Sequence, residues 1–138
     1  MEKQLGQTKE VGFQFGLRKT FPISSEEMWD FIFSEKGVGI WLGKLKTEFE
    51  LQKHFETESG ITGFVRVINP YSHIRINWKK KGWNNLSTLQ IRVISKQEKS
   101  TLSIHQEKLL DFEQRAVMKE YWNATMSKIT SELNKASS

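Results

Sequence analysis

The sequence predicts an α+β fold: an antiparallel sheet of about six strands, one or two short helices after the first strand, and one long C-terminal helix. Three observations carry this. Met118, Trp122, Met126, Ile129 and Leu133, with Tyr121, fall inside an arc of about 140° at 100° per residue, the mark of a helix with one apolar face. From Val11 to Glu107 most segments instead alternate apolar and polar residues, the period of half-buried strands. The breaks between those segments are short, which favours hairpins over crossovers.

Residues 1–10 are polar and are expected to fray, as chain ends usually do. Val11, Phe13, Phe15 and Leu17 alternate with Gly12, Gln14, Gly16 and Arg18 as a first strand. Ser24 and Glu27 then form a capping box, with Ile23 and Met28 placed as its hydrophobic staple. A short helix follows from Ser25 to about Phe33; Gly37 and Gly39 are expected to end it, before the apolar segment Ile40-Trp41-Leu42. Leu45, Phe49 and Leu51 lead into a strand at 53–58, a turn at Ser59-Gly60 and a strand at 61–68. Asn69-Pro70 breaks that strand. Ile74, Ile76 and Trp78 mark the next strand, Gly82 and Asn84-Asn85 a hairpin end, and Leu89, Ile91 and Val93 the strand after it. A polar turn at 96–100 precedes the last strand, carried by Leu102 and Ile104. Asp111 and Gln114 have capping-box spacing for the long helix, expected from Phe112 to Leu133 and about 33 Å long.

At 138 residues the chain has the length of one domain with a full core. Hydrophobic content of 37% with 27% charged residues fits a globular chain, and no window approaches the 18 apolar residues of a membrane span. The start MEKQLGQTKE lacks the apolar stretch of a secretory signal. Cysteine is absent, which excludes disulfides, thiolate nucleophiles and Cys-ligated metal centres. A cytoplasmic location is the expectation. The net charge of +5 is spread among acidic residues, so nucleic-acid binding is not expected.

The ordered set Ile23-Ser24-Ser25-Glu26-Glu27-Met28-Trp29, Trp41-Leu42-Gly43, Gly63-Phe64-Val65, Pro70, Trp78, Leu102-Ser103-Ile104-His105-Gln106-Glu107 and Tyr121-Trp122 resembles the helix-grip (SRPBCC, START-like) superfamily. Within it the chain is similar to the group related to the activator of the heat-shock-protein ATPase. The resemblance spans Val11 to Leu133; the usual Gly-Gly pair before the second strand is replaced by Leu51-Gln52-Lys53-His54. It implies a curved sheet gripping the C-terminal helix, with a cavity between them that takes a small apolar or amphipathic molecule. It also implies two alternatives, a co-chaperone-like interaction module and, third, a polyketide cyclase or hydrolase. A fold fixes where a site lies rather than its use.

Nothing in the sequence calls for catalysis, a cofactor or a metal. His54, His73 and His105 lack metal-ligand spacing, and His105 shares a strand face with Glu107 opposite Leu102 and Ile104, away from the helix. No Gly-x-Ser-x-Gly or phosphate-loop run occurs. The expected ligand-binding residues are Trp41, Phe49, Phe55, Trp78, Leu89, Ile91, Met118, Trp122 and Met126; core filling is the competing role for each. Thr88 and Gln106 are candidates for inward polar groups. Lys79-Lys80-Lys81-Gly82-Trp83 reads as a solvated hairpin tip, with contact to an anionic lipid surface or an acidic partner as the alternative.

Overall fold

The computed structural model describes residues 7–8 and 12–137. Ten elements follow in order: β1 (Gln7–Thr8), β2 (Gly12–Phe21), α1 (Ser25–Ile32), α2 (Glu35–Trp41), β3 (His54–Glu56), β4 (Thr62–Asn69), β5 (His73–Lys79), β6 (Ser87–Lys96), β7 (Lys99–Leu109) and α3 (Phe112–Ser137). The sheet is antiparallel in the order β1-β2-β7-β6-β5-β4-β3, so β3 to β7 form a meander and β2 closes on its last strand. The curved sheet packs against α3, with α1 and α2 at one end: a helix-grip fold. Of the ten residues expected to fray, Gln7 and Thr8 pair with Phe13 and Gly12; residues 1–6, 9 and 10, and Val11, lie outside the described residues.

Local chemistry explains most boundaries. The Glu27 amide donates to Ser24 Oγ at 3.1 Å, and Met28 of the staple is fully buried. Gly37 and Gly39 do not end a helix; they sit inside α2. Ser34 makes this possible by donating to the Phe31 carbonyl at 2.6 Å while accepting from the Gly37 amide at 3.1 Å, so one hydroxyl closes α1 and opens α2. A Cβ at position 37 would overlap the Phe31 carbonyl oxygen, so only glycine lets the two helices meet there. Gly60 takes φ +96 in the turn after β3, where a side chain would be strained. At α3 the Gln114 amide donates to Asp111 Oδ1 at 2.8 Å, and Gln114 Oε1 accepts from the Leu110 amide at 2.9 Å, one residue earlier than a capping box requires.

Met118, Trp122, Met126 and Ile129 of α3 are buried against the inward residues of the sheet, among them Leu89, Ile91, Leu102 and Ile104. Side-chain hydrogen bonds hold the helix down along its length. Arg115 Nε donates to the Gln14 carbonyl at 2.7 Å, Lys19 Nζ to Thr130 Oγ1 at 2.9 Å, and Tyr121 to the Trp41 carbonyl at 2.6 Å. Among the described residues, no helix is long and apolar enough to cross a membrane.

Candidate functional site

A cavity of about 570 Å³ lies at the α1/α2 end, under the segment 43–53. Trp29 and Phe33 of α1, Val38 and Gly39 of α2, Leu45 and Phe49 of the segment, and Ile68 and Ile74 of the sheet line it. Ser34, Glu35 and Lys44 are the polar groups on its wall. It stays open because short helices meet an irregular segment there, and two glycines, Gly39 and Gly43, contribute no bulk. An added Cβ at Gly39 would meet nothing within 4 Å.

A chain of rings runs along this wall. Trp29 touches Phe33 at 4.3 Å between centroids and Tyr71 at 5.8 Å; Phe33 and Phe49 each lie 6.0 Å from Trp41; Phe49 lies 5.6 Å from Phe55. Trp41 is fully buried behind it, its Nε1 donating to the Ile32 carbonyl at 2.8 Å. The Tyr71 hydroxyl donates to Asp30 Oδ1 at 2.9 Å, which fastens the β4–β5 turn to α1 and raises the phenol's pKa, the hydrogen bond first and the carboxylate charge second.

The nine expected ligand residues do not share one space. Phe49 lines the cavity just described. Trp78 and Met118 line a smaller hollow of about 480 Å³ at the other end of α3, beside Ile61, Lys81 and Tyr121. Phe55 borders a third, of about 490 Å³, near Leu86. Trp41, Leu89, Ile91 and Trp122 are fully buried or within 1% of it, and Met126 is nearly so, all packed in the core between sheet and helices. That core is held by a polar chain: Trp122 Nε1 donates to Gln106 Oε1 at 2.8 Å, Gln106 Nε2 to Ser87 Oγ at 2.9 Å, and Ser87 Oγ to the Trp78 carbonyl at 2.6 Å. Gln106 is therefore an inward polar group. Thr88 is not: it pairs with Asn77 and Glu107, on the face turned away from α3. Ser87 takes the inward place instead, two residues before Leu89 and in phase with Leu89, Ile91 and Val93.

Trp29, Phe33, Val38, Leu45, Ile68 and Ile74 are the wall residues that sequence reasoning missed. Their apolar character was visible; that α2 and the segment 43–53 fold over β4 and β5 was not. The three histidines stand on three different strands, β3, β5 and β7, and all face away from α3. Burial first, then the Arg92 and Arg75 charges, lowers the His73 pKa, favouring its neutral ring. Burial alone pushes the Tyr121 phenol up to about 12.

A family model described as Activator of Hsp90 ATPase homolog 1-like protein matches residues 22–134. No curated protein matches the sequence. Among solved structures the chain is similar to DynU16 of the dynemicin biosynthetic locus, at 15% identity and TM-score 0.79 over 89% of this chain and 48% of that one. It thus spans about half the length of DynU16. It is also similar to PFC0360w, an HSP90 activator from Plasmodium falciparum, at 20% identity and TM-score 0.61 over 71% of this chain and 74% of that one. The Aha1 protein from Colwellia psychrerythraea, solved as a dimer, matches at 8% identity and TM-score 0.70 over 84% and 92%. At these identities the likeness shows the fold alone.

Proposed function

Because the chain belongs to the Activator of Hsp90 ATPase homolog 1-like family, we propose that it is a cytoplasmic binding protein rather than an enzyme, holding a small apolar or amphipathic molecule. The observation that carries this is the cavity of about 570 Å³ walled by Trp29, Phe33, Val38, Phe49, Ile68 and Ile74. That volume falls within the range of small-molecule pockets, and apolar walls with a few polar groups are their usual make-up. Ser34, Glu35 and Lys44 would meet the polar end of an amphipathic ligand. The ligand space thus moves from under the centre of α3, where Trp122 and Met126 lie, to the α1/α2 end.

Trp29 provides the signal. Titration with oleic acid or anilinonaphthalene sulfonate should shift its emission at one-to-one stoichiometry. Gly39→Leu, which adds bulk where space is free, should fold normally and abolish the shift. Unchanged emission in the wild type, or the same response in the variant, would refute the reading. Native mass spectrometry of protein purified from its own host would then identify the molecule from its added mass.

A second reading, a protein-interaction module like the Plasmodium HSP90 activator, is favoured by a separate observation. Leu86, Leu110 and Phe112 are 52%, 64% and 46% exposed around the start of α3. Its mark would be a partner lost from pull-downs when Leu110 and Phe112 are replaced by Ser while oleic acid binding persists.

A further inference from the structure

The sheet face turned away from α3 carries Arg18 on β2, Arg75 on β5 and Arg92 on β6, and a fourth of the protein's five arginines, Arg66, is exposed at the bulge of β4 beside them. Among the described residues none of the four is within ion-pair distance of a carboxylate. Glu107 and Glu56 are the carboxylates that β7 and β3 place on this face, and Glu56 is already paired with Lys46 at 3.5 Å. Arg75 and Arg92 are diagonal neighbours on β5 and β6, and Arg18 and Arg92 flank the same residue of β7, so like charges gather here at a cost that an anion would offset.

The arginines are also arranged around a hollow. Arg18 and Arg92 both stand directly opposite Ser103, one on each side, so one group above that hydroxyl is within reach of both guanidiniums. The next row is Gly16, His105, Gln90 and Arg75, in which Arg75 donates to Gln90 Oε1 at 2.8 Å and His105 Nε2 lies 3.0 Å from Gln14 Oε1. A hollow of about 410 Å³ lies over these two rows.

Gly16 is the decisive residue. Glycine inside a strand weakens it, and usually marks a bulge or a close approach by something else. The irregularity in β2 falls between Phe13 and Phe15, not here. A Cβ at Gly16 would have only ordinary contacts, with His105 Cδ2 at 3.8 Å and the Ile104 carbonyl at 3.9 Å. Packing within the chain does not require the glycine; an approaching ligand would.

We propose that this hollow is a second binding site, taking a phosphate-type dianion between Arg18 and Arg92, over Ser103 and the bare backbone of Gly16. Two guanidiniums present paired N–H donors to its oxygens, Ser103 offers a hydroxyl, and the His105 ring stands beside them. The same chemistry serves a free phosphate ester and a lipid headgroup.

The test is an amide NMR titration with inorganic phosphate and with phenyl phosphate, against sodium chloride at equal ionic strength. Saturable shifts at Gly16, Ser103 and His105 are expected with both phosphates and absent with chloride. Arg18→Gln and Arg92→Gln should each weaken binding about tenfold or more. Gly16→Glu places a carboxylate in the hollow, and should abolish binding while raising the melting temperature. Sedimentation with vesicles of phosphatidic acid in phosphatidylcholine separates the sources: co-sedimentation assigns a headgroup, its absence a free ester. Shifts that track chloride, or phosphate affinity unchanged in the Arg18→Gln/Arg92→Gln pair, would overturn the site.

Discussion

Beneath α3, the rings of Trp78, Tyr121 and Trp122 meet edge to face, and the indole of Trp122 ends in the Gln106–Ser87 hydrogen bonds. Beneath α1 and α2, the rings from Tyr71 to Phe55 also touch in sequence, yet they enclose a cavity. Both regions use the same side-chain types, so composition does not separate the packed centre beneath α3, which opens only beside Trp78 and Tyr121, from the apolar cavity at the α1/α2 end. What differs is the cover. A helix of 26 residues lays a continuous stripe on the sheet, whereas α1 and α2, of 8 and 7 residues, meet an irregular segment and leave a gap.

Truncation on each side gives the largest contrast. Trp122→Ala removes a fully buried indole and leaves Gln106 Oε1 without its donor, and should cost about 3–5 kcal/mol in urea unfolding. Phe49→Ala, on the lip of the cavity and only partly buried, should cost about 1–2 kcal/mol. Equal losses would mean that the two regions are equally dense.

Tyr121 stands where the regions join, donating from α3 to the end of α2. Its folded pKa of about 12 exceeds the ordinary 10.0, so the folded state holds the proton more tightly than the unfolded chain. The resulting stability is fully present below pH 10 and is lost as pH rises through about 12, a fall on the order of 2–3 kcal/mol. Urea unfolding between pH 9 and 12 should show that fall in the wild type and lack it in Tyr121→Phe. An identical slope in both would remove the phenol from the boundary.

The smallest effect has the sharpest sign. Gly39→Ala adds a methyl group facing open space inside a helix and should stabilise by about 0.5–1 kcal/mol. Gly37→Ala, two residues away, should destabilise, because its methyl group would overlap the Phe31 carbonyl oxygen. Thermal melts of the pair decide whether the gap beside α2 is real space.

These regions were unequally legible in the sequence. The α3 stripe, the β4-to-β7 alternation and the Ser24 cap depend on near neighbours, and each stands where periodicity puts it. The cavity wall does not. Ile68 and Ile74 look like any inward strand residues, and Leu45 lies in a stretch outside the strands, tied to the end of β3 by an isolated bridge to Thr57. Gly37 and Gly39 carry the signal of a helix stop, and tertiary packing of α2 against α1 overrides it. Thr88, expected to face inward, is out of phase with Leu89, Ile91 and Val93, so the pleat turns it away from α3. The cluster of Arg18, Arg75 and Arg92 on the convex face is invisible in a linear reading, since the three lie apart in the chain and only strand register gathers them.

The closure of β2 on β7 carries one more consequence, in chain entropy. Lys96 and Lys99 pair across a two-residue turn, whereas Thr20 meets Thr101 at a separation of 81 residues. Loop-closure entropy grows by about 0.6 kcal/mol per doubling, so bringing β2 home costs about 3 kcal/mol more than closing that hairpin. Two hydrogen bonds between β2 and α3, Gln14 with Arg115 and Lys19 with Thr130, fall on the strand where this cost is incurred. A helix formed from the last residues thus clasps a strand formed from the first, and holds shut the longest loop in the sheet.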